Sequence, residues 1–524
     1  MNQSKQGAEE KTGQIRAQGA RRRLLPRLLA GLLAAALALA GVLAFNTLRS
    51  ESRQLRVAPA PPLALDEAAA AGRLAAALRW RTIASAGDAG ANADQFAGLQ
   101  AQLAQAFPRL HAALKREVVG HSLLYTWQGS DAAAAPALWM AHQDVVPVAP
   151  GTEADWQQPP FDGVLKDGFI WGRGAWDDKG SLLAQMEAVE ALLAAGFAPR
   201  RTLYLAYGAD EEVGGRRGAV ALAALLKARG VRLDYVLDEG MLVTEGILAG
   251  LDKPAALIGV AEKGYVSVDL ALATAPGHSS MPPRASAIGM LSTALARLER
   301  NQLPASMGGL AQEMFATLAP EMGGVQRVAL ANLWLFGPLL QRQLEQGAST
   351  NAMLRSTTAL TIFHAGNKDN VLPGKADATV NFRLLPGDSV AGVLEHVRRT
   401  VDNEAIRLSV QPGQSEPSRV SRTDTAQYQA LNRTVRQVFA GAVVVPGLVL
   451  GATDSRHFEA LSDNVFKFSP VRAGPNDLAR FHGTNERIAV KNYVEMIRFY
   501  HQLLRNGAAA DGLAAGAGAT APPG

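Results

Sequence analysis

Four short segments of the sequence carry residue types that bind divalent metal ions. Each segment by itself also has a simpler interpretation, because acidic residues cap helices and occupy solvated turns. Histidine nitrogens and carboxylate oxygens together are typical ligands of zinc in proteins. The segments are His142-Gln143-Asp144, the glycine-rich run 172–180 with Asp177 and Asp178, Asp210-Glu211-Glu212, and Asp238 after an apolar run. Their combination in one chain favours a metal-dependent active site over four unrelated turns.

The first of these segments has a spacing that suits a metal ligand and its support. His142 precedes Asp144 by two residues. At the end of a strand, residues i and i+2 share one face, so Asp144 can accept the second imidazole N–H of His142 and fix its tautomer. The other interpretation of the same pair is a capped turn.

Strand-like and helix-like patterns alternate around these segments. Apolar runs predict strands over 137–141, 201–207 and 233–237, and apolar periodicity predicts helices over 180–195 and 218–229. This alternation predicts an α/β fold. The acidic segments follow the strands, and ligand crevices of open α/β sheets lie outside the carboxyl ends of the strands. We therefore expect segments that are distant in sequence to converge at one crevice.

Carboxylates gathered at one crevice repel each other unless cations lie between them. A pair of divalent ions is the economical counter-charge, and such ions also activate water for hydrolysis. The chain has no cysteine, which excludes a thiolate metal site, a cysteine nucleophile and a disulfide framework. Histidine and carboxylate donors without sulfur suit zinc, with cobalt or manganese also compatible.

The order and spacing of these motifs resemble a known enzyme family. The motifs are His142-Gln143-Asp144-Val145-Val146-Pro147, Gly172-Arg173-Gly174-Ala175-Trp176-Asp177-Asp178-Lys179-Gly180, Asp210-Glu211-Glu212, Leu237-Asp238-Glu239-Gly240, and the segments 451–457 and 480–486. They are similar to the dinuclear-zinc amidohydrolases and exopeptidases that include aminoacylase-1, carboxypeptidase S and succinyl-diaminopimelate desuccinylase. The most similar branch is that of carboxypeptidase S and the N-fatty-acyl-amino-acid synthase/hydrolase. The similarity runs from about residue 65 to residue 505.

The resemblance implies a role for each motif residue. It implies a zinc-exopeptidase-like catalytic domain that holds two zinc ions per subunit, both bound by Asp177. The remaining implied ligands are His142 and Asp238 for one ion, and Glu212 and His482 for the other. Glu211 is implied as the general base, which takes a proton from the attacking water and delivers it to the leaving amine. Asp144 is implied as the residue that orients His142.

The middle of the chain resembles the family's inserted lid or dimerisation domain. Its pattern changes to an alternating strand at 265–270, followed by predicted helices over 285–299 and 390–401 and a strand over 378–384. We therefore expect an α+β sandwich over 263–411, inserted between catalytic parts 65–262 and 412–506. By resemblance, this domain makes a homodimer possible.

The predicted lid contains three candidate active-site residues. His278 matches the lid histidine that helps stabilise the oxyanion, often across a dimer interface, although a surface turn is the alternative. Asn370 and Arg383 resemble the positions that hold substrate, and the forked donors of Arg383 suit a carboxylate. Arg456 is a second candidate for that carboxylate. Residues 303–352 make the lid longer than in minimal relatives, and their Met, Trp, Leu and Phe side chains suit either an apolar cleft or simple lid packing.

The N-terminus has the pattern of a membrane anchor. After the basic residues of segment 1–27, residues 28–48 carry no charge, and 21 residues of helix span about 31 Å against a hydrocarbon core of about 30 Å. The basic flank should stay cytoplasmic, which leaves the catalytic body on the extracytoplasmic side, the periplasm in a bacterium. The alternative is a cleaved signal peptide and a secreted enzyme. Residues 49–64 are expected to form a proline-rich spacer, and 507–524 a disordered tail.

Composition limits the classes of function that remain. The 524 residues carry a net charge of +5 and are 48% hydrophobic, enough for a large core. Residues 1–27 hold seven Lys or Arg and two Glu, which leaves 45 positive and 45 negative residues in the rest. A neutral body lacks the clustered basic face that nucleic acid requires, so we expect no nucleic-acid partner.

The sequence therefore predicts an exported metallohydrolase that cleaves an amide bond next to a free carboxylate. Its substrate would be a short peptide, as for a carboxypeptidase, or an N-acyl amino acid, as for an amidohydrolase. Condensation of a fatty acid with an amino acid is a related alternative, since the equilibrium runs in both directions. A hypothesis of another class is a non-catalytic, membrane-anchored binding ectodomain, which predicts loss of ligands or base. All five implied ligands and Glu211 are present, which favours an enzyme.

Overall fold

The structure is a computed structural model that describes residues 28–513, with side chains described to residue 507. Its helices are α1 (Leu28–Arg49), α2 (Glu67–Ala77), α3 (Ala93–Ala106), α4 (Pro108–Ala113), α5 (Lys179–Ala194), α6 (Ala219–Ala228), α7 (Ala287–Arg300), α8 (Gly309–Leu318), α9 (Gly324–Ala331), α10 (Leu333–Leu344), α11 (Ala348–Leu354), α12 (Val390–Val401), α13 (Ala426–Val438) and α14 (Val490–Leu513). Short 3-10 turns lie at Glu153–Asp155, Glu211–Val213, Ala319–Glu321, Asp454–Phe458 and Leu478–Arg480.

The strands form one large sheet and three smaller ones. They are β1 (Lys115–Val119), β2 (Ser122–Trp127), β3 (Ala137–His142), β4 (Val164–Lys166), β5 (Phe169–Trp171), β6 (Leu203–Gly208), β7 (Tyr235–Thr244), β8 (Ala255–Glu262), β9 (Gly264–Ala273), β10 (Gly277–His278), β11 (Thr357–Ala365), β12 (Val371–Leu372), β13 (Lys375–Leu384), β14 (Ile406–Val410), β15 (Val443–Val449), β16 (Val465–Ala473) and β17 (Arg487–Ala489). The large sheet has eight strands in the order β1-β2-β6-β3-β7-β16-β8-β15.

The large sheet is mixed, and its parallel centre positions the acidic segments. Strand β3 runs parallel to both β6 and β7, with His142 opposite Gly208 and Trp139 opposite Leu237. The carboxyl ends of these three strands therefore meet at one edge of the sheet. Asp210, which follows β6, and Asp238, which lies within β7 one residue past the last pair with β3, are brought to the same edge. The α/β fold expected from the sequence is confirmed.

The predicted elements around this edge are strongly apolar and mostly buried. All six residues of β3 are buried, as expected for a strand covered on both faces. Helix α5 is buried over most of its length and packs against α14 and β3. Strand β7 extends to Thr244, well past the predicted end at residue 237, because its second half pairs with β8 and β16.

A second layer of strands and helices lies in the predicted lid segment. Its four-stranded antiparallel sheet has the order β11-β13-β9-β14, and helices α7 and α12 pack on it. The layer has a hydrophobic core of its own, which includes Val268, Leu291, Val380 and Val397. Helix α12 begins where Ser389 accepts a hydrogen bond from the N–H of Gly392. The predicted limits of this domain, 263–411, stay a prediction.

The described chain divides into two compact units. One unit comprises residues 28–53 together with Phe315–Leu340, and it contains α1, α9 and most of α10. The other comprises Gln54–Met314 and the described residues from Gln341 onward, and it contains both sheets described above. All the candidate site residues belong to this second unit.

The terminal segments differ in part from expectation. Gln54, in the predicted spacer, bonds to both the N–H and the carbonyl of Val444 at 2.7 and 2.9 Å, so this part of the spacer is fastened to β15. Helix α14 continues to Leu513, past the predicted start of the tail at residue 507, in an alanine-rich run of high helix propensity. Segments 1–27 and 514–524 lie outside the described residues.

Candidate active site

The site is built on His142, the last residue of β3. The ring is buried, and its Nε2 lies 2.9 Å from Oδ1 of Asp177. Its Nδ1 lies 2.9 Å from the backbone carbonyl oxygen of Asp144 and 3.4 Å from Oδ1 of the Asp144 carboxylate. The carbonyl is the closer acceptor for the ring N–H, so Asp144 holds His142 mainly through its backbone. Nε2 is thereby left free to act as a ligand.

The carboxylate of Asp144 holds the turn that carries the two glutamates. Its Oδ1 accepts the N–H of Glu211 at 3.2 Å, and its Oδ2 accepts the N–H of Glu212 at 3.1 Å. Asp144 is fully buried. A single aspartate thus ties the end of β3 to the 3-10 turn after β6 and fixes the position of the predicted base relative to His142.

Asp177 lies at the centre of the site and its carboxylate faces two histidines. His482 Nε2 is 2.7 Å from Oδ2 of Asp177, the oxygen that His142 does not contact. His482 Nε2 also lies 3.5 Å from Oε1 of Glu212. Hydrogen bonds to Asp177 and Glu212 raise the pKa of His482 to about 10, against the effect of partial burial. The pKa of Asp177 is lowered, because the bonds to His142 and His482 outweigh its burial.

Two groups of side chains around Asp177 have the geometry of metal sites. In each group one possible ligand atom from every residue lies within 4.8 Å of the others. The first group is His142, Asp177 and Glu239, and the second is Asp177, Glu212 and His482. The structure thus brings together four of the five implied ligands. It adds Glu239 and does not bring Asp238 into either group.

A break in the pairing of β7 explains why Glu239 joins the site. Asp238 pairs with Lys467 of β16, but the next pair is Phe468 with Met241, so Glu239 and Gly240 have no partner. Such bulges occur beside active sites and redirect side chains. Gly240 has φ of 134°, and a Cβ there would lie 3.0 Å from Cβ of Lys467.

Asp238 instead supports the neighbouring backbone. Its Oδ1 accepts the N–H of Glu239 at 3.0 Å, and its Oδ2 accepts the N–H of Ser455 at 2.7 Å. Both oxygens of the buried carboxylate are therefore engaged by backbone donors. Asp238 holds the start of the bulge and the 3-10 turn Asp454–Phe458.

Acidic side chains crowd this edge, as the sequence predicts, and without a counter-cation their ionised forms are disfavoured. Burial raises the pKa of Asp178, Glu211, Glu239 and Asp454 well above the usual carboxyl value, and neighbouring carboxylates raise it further. Oε1 of Glu212 is buried, and its 3.5 Å contact with His482 Nε2 is too long for a well-formed hydrogen bond. The donor set, two imidazoles and three carboxylates with excess negative charge, fits a pair of divalent cations.

A buried ion pair joins the two loops that carry Asp177 and His482. Arg173 Nη1 donates to Oε2 of Glu486 at 2.6 Å, and Arg173 Nη2 donates to the carbonyls of His482 and Gly483 at 3.2 and 3.0 Å. Oε1 of Glu486 accepts the backbone N–H groups of Gly174, Trp176 and Asp177 at 2.9, 2.9 and 3.2 Å. At Gly483, a Cβ would lie 2.0 Å from the carbonyl oxygen of Ala479.

The predicted lid residues lie outside the two ligand groups. His278 is exposed, and its Nδ1 lies 2.8 Å from Oγ of Ser280. The carbonyl of Asn370 accepts the N–H of Ser279 at 3.1 Å, so the structure brings His278 and Asn370 to the same small two-stranded sheet. Arg383 stacks on the ring of Tyr265 at 4.9 Å.

Arg456 lies beside the turn that carries the glutamates. Its Nη2 donates to the carbonyl of Gly214 at 3.4 Å. Burial lowers the pKa of Arg383, Tyr265 opposes this, and the positive charge of Arg456 lowers it further. The two candidate arginines are therefore near enough to interact, although Arg383 comes from the predicted lid and Arg456 from the catalytic part.

The sequence interpretation gave no role to Glu239, Arg173 or Glu486. Arg173 and Glu486 stand inside the quoted motifs 172–180 and 480–486, which is the only signal that they offered. For Glu239 the signal was Gly240, since a glycine inside a strand pattern indicates a bulge.

A mixed α/β sheet whose carboxyl edge carries two histidine–carboxylate groups joined by one aspartate is the arrangement of a metallohydrolase with two neighbouring metal positions. Comparison with known proteins gives the particular family. The family model for Peptidase family M20/M25/M40 matches residues 138–506. The chain belongs to peptidase family M20, as the resemblance indicated.

Known relatives and a solved structure agree with this assignment. The chain is 44% identical to the N-fatty-acyl-amino acid synthase/hydrolase PM20D1.1 of Danio rerio over 77% of this chain and 79% of that protein. It is 38% identical to the probable carboxypeptidase S-like 2 of Dictyostelium discoideum over 89% and 91%. The M20 family metallo-carboxypeptidase Sso-CP2 of Sulfolobus solfataricus shares the fold, with a TM-score of 0.61 and 20% identity over 84% and 99%. The predicted enzyme class, a metal-dependent hydrolase of amide bonds, is confirmed.

Proposed function

We propose that the protein is an exported dinuclear zinc enzyme that hydrolyses an amide bond next to a free carboxylate. The observation that carries this proposal is the position of Asp177, whose two oxygens face His142 and His482 separately. A carboxylate placed in this way can bind two ions at once. Glu211 follows the same edge of the sheet on a turn fixed by Asp144.

The proposed ligands follow the two groups around Asp177. His142, Asp177 and Glu239 would hold one ion, and Asp177, Glu212 and His482 the other. Glu239 replaces Asp238 in this proposal because both oxygens of Asp238 are engaged by backbone N–H groups. When bound, such ions polarise the substrate carbonyl and lower the pKa of water toward about 7. Zinc suits the donors best, with cobalt and manganese as alternatives.

Glu211 is the proposed general base. It is outside both ligand groups, and its backbone N–H is held by Asp144, so its carboxylate is available for proton transfer. In the proposed reaction it takes a proton from the attacking water and delivers it to the leaving amine nitrogen. Asp144 acts as a positioning residue for both Glu211 and His142.

A cluster of cations is the proposed site for the substrate carboxylate. Lys263 is a minor member of this cluster, because burial and the charge of Arg383 lower its pKa to about 7 and its Nζ donates to the carbonyls of Ala352 and Arg355. Arg383 in turn interacts with Arg456, and Glu262 is the acid that partly offsets these charges. Forked guanidinium donors bind carboxylates in a bidentate manner. The cluster therefore supports recognition of a substrate with a free carboxylate.

Two substrate classes fit this proposal. One is a short peptide with a free C-terminus, and the other is an N-acyl amino acid, because both present an amide next to a carboxylate. Among the relatives, the names N-fatty-acyl-amino acid synthase/hydrolase and carboxypeptidase S-like 2 describe both classes. The latter similarity extends over more of the chain, whereas the former has the higher identity. For this chain, condensation of a fatty acid with an amino acid is the reverse of the second reaction.

The test is release of the C-terminal product, as amino acid or as amino acid amide, from a matched panel. Dipeptides and N-acyl amino acids with the same C-terminal residue are compared with their C-terminal amides, before and after chelation and with zinc restored. The proposal expects turnover only of free acids, loss of activity on chelation and recovery with zinc. Equal turnover of the amides would contradict carboxylate recognition, and turnover unaffected by chelation would contradict the metal.

We also propose that α1 anchors the enzyme in the membrane as a single span. The helix is 22 residues long, has a mean hydropathy of 2.5 and is not buried in its most apolar window. An anchored chain remains in the membrane pellet after a high-salt wash, with its full mass. Recovery of a soluble, shortened chain would instead indicate signal cleavage and secretion.

We also propose that the protein forms a homodimer through the predicted lid domain. The exposed His278 stands at the end of β10 and outside the ligand groups of its own chain, which suits a residue that serves a partner subunit. Mixing inactive His278→Ala and Glu211→Gln chains should restore part of the activity if the site is shared. No restoration in a mixture that forms dimers would contradict this role.

A further inference from the structure

Helix α1 contacts the rest of its compact unit only through its final turns. Among residues 28–49, those up to Val42 are all exposed, and the partly buried ones are Leu43, Asn46 and Thr47; Ser50, one residue past the helix, is partly buried as well. This spacing of three, four and seven residues describes one face of a helix. The face is confined to the C-terminal end of the predicted membrane span.

Asn332, between α9 and α10, forms hydrogen bonds with this face of α1. It is fully buried, and its Nδ2 lies 3.3 Å from both the carbonyl of Leu43 and Oγ1 of Thr47. Its Oδ1 accepts Nδ2 of Asn46 at 2.9 Å. Arg327 of α9 adds a bond from Nη2 to the carbonyl of Ser50 at 3.3 Å. The bonds fix α9 and α10 to the last turns of α1.

The surface beside these bonds is apolar and open. The exposed fractions are 77% for Val325, 61% for Trp334, 39% for Leu335 and 66% for Leu339. Helix α10 has no buried residue. Large exposed apolar groups concentrated in one short helical segment indicate an interaction surface.

The bonds to α1 set the depth of this surface relative to a membrane. Leu43 is five residues before Leu48, the end of the uncharged run, which corresponds to about 7.5 Å along the helix axis. The headgroup layer on each side of the hydrocarbon core is about 5 to 7 Å thick. Leu43 therefore lies about 7.5 Å inside the end of the uncharged run and Ser50 about 3 Å beyond it, so the groups bonded to this face lie across the boundary between the hydrocarbon core and the outer headgroup layer.

We propose that α9 and α10 are a second membrane-contacting element, which lies in the lipid headgroup layer with Val325, Trp334 and Leu339 directed into the bilayer; this rests on the proposed anchoring by α1. Trp334 fits this position, because its Nε1 donates to Asn332 at 3.3 Å while most of its ring is exposed. Amphipathic aromatic rings of this kind concentrate at membrane interfaces. The charged residues of segment 324–344 are Arg327 and Arg342, both cationic, which suits anionic headgroups.

The absence of cysteine allows a direct test on the full-length enzyme. Single variants Trp334→Cys and Leu339→Cys are labelled with an environment-sensitive fluorophore and reconstituted into vesicles of phosphatidylcholine and phosphatidylglycerol, and their intact mass is verified. Leu37→Cys, inside the apolar run, reports insertion of α1. Val118→Cys is the water-exposed control, since it is 49% exposed and follows Arg116 and Glu117.

The expected result is that labels at 334 and 339 are quenched by spin-labelled lipids and protected from an aqueous quencher, with the opposite result at 118. If position 37 is quenched by lipid while 334 and 339 behave like 118, this inference is wrong and the anchor stands. Protection of 334 and 339 from both quenchers indicates a protein partner such as a second copy, and also overturns it. If position 37 is not quenched by lipid, the anchor itself fails, and with it this inference.

Discussion

Arg173 and Glu486 form a fully buried ion pair, with 2.6 Å between Nη1 and Oε2, although 313 residues separate them in the chain. The second oxygen of Glu486 accepts the N–H of Asp177, and the second guanidinium nitrogen of Arg173 donates to the carbonyl of His482. The pair therefore connects the backbones of two proposed ligands. It belongs to the scaffold that sets their separation.

Glu486→Gln should destabilise the protein and loosen metal binding together. The substitution leaves the Arg173 guanidinium buried without its counter-charge, and breaking a buried pair in this way costs about 3 to 5 kcal/mol. The measurement is the free energy of unfolding of the metal-free chain by urea, with metal content measured separately. Glu495→Gln, which removes a partly exposed partner of Arg472, is a matched control with an expected loss of about 0 to 1 kcal/mol. Equal losses in both variants would argue against the scaffold role.

Substitutions of Glu239 and Asp238, neighbours in β7, should show which of them binds metal and which only supports the site. Glu239→Gln should lose one of two zinc ions per chain after dialysis, because it removes a proposed ligand. Asp238→Asn should keep both ions at saturating zinc and weaken affinity by about 10 to 100-fold, as outer partners of metal ligands do. Elemental analysis of the two variants is the measurement. The reverse pattern would return the ligand role to Asp238.

Glu211→Gln should remove catalysis while leaving the site assembled. General acid–base groups contribute about 10² to 10⁴ in rate, so kcat should fall by that factor with KM and zinc content near those of the wild type. The backbone N–H that bonds to Asp144 is unchanged by this substitution. Glu212→Gln is the companion variant, and it should lose zinc as well as activity. Unchanged turnover in Glu211→Gln would remove it from the role of base.

Much of the catalytic layer could be predicted from local pattern. The apolar run of β3 and the apolar pattern of α5 indicated their element types. Helix α12 has the limits predicted from its pattern, and in the structure Ser389 caps its start and Asp402, with φ of 47°, follows its end. His142, Asp177, Glu212 and His482, which the resemblance implied as ligands, lie together around Asp177 in the structure, and their role as ligands stays a prediction.

The remaining features depend on relationships between strands and loops that one sequence does not display. The choice between Asp238 and Glu239 depends on where β7 loses its pairing with β16, and only the register reveals that bulge. The partnership of Arg173 with Glu486 depends on two distant loops meeting. The end of α14 also passed the expected limit, since composition alone did not separate an alanine-rich helix from a tail.

The free energy of unfolding should fall at acidic pH, and part of this fall should come from the low pKa of His501 on α14. Burial lowers its pKa from 6.5 to about 4, and the charge of Arg505 adds to this. Between these pH values the unfolded chain binds a proton at His501 that the folded chain does not, so the free energy of unfolding rises with pH across the window. The full shift corresponds to about 3 kcal/mol, and partial exposure of the ring reduces this to about 1 to 2 kcal/mol.

His501→Gln should remove that part of the acid sensitivity. Urea unfolding of the metal-free wild type and variant at pH 4 and pH 7 gives the measurement, and the difference between the two proteins isolates His501 from the carboxylates of the active site. The variant should lose less stability than the wild type on acidification. An identical loss in both proteins would mean that His501 does not titrate abnormally.

The central claim is that the two oxygens of Asp177 serve two different metal ions. Anomalous X-ray diffraction at the zinc edge, from crystals of the zinc-loaded enzyme, tests it directly. The account predicts two peaks on opposite sides of the Asp177 carboxylate, one beside His142 and Glu239 and the other beside Glu212 and His482. A single peak, or peaks that do not contact Asp177, would contradict it.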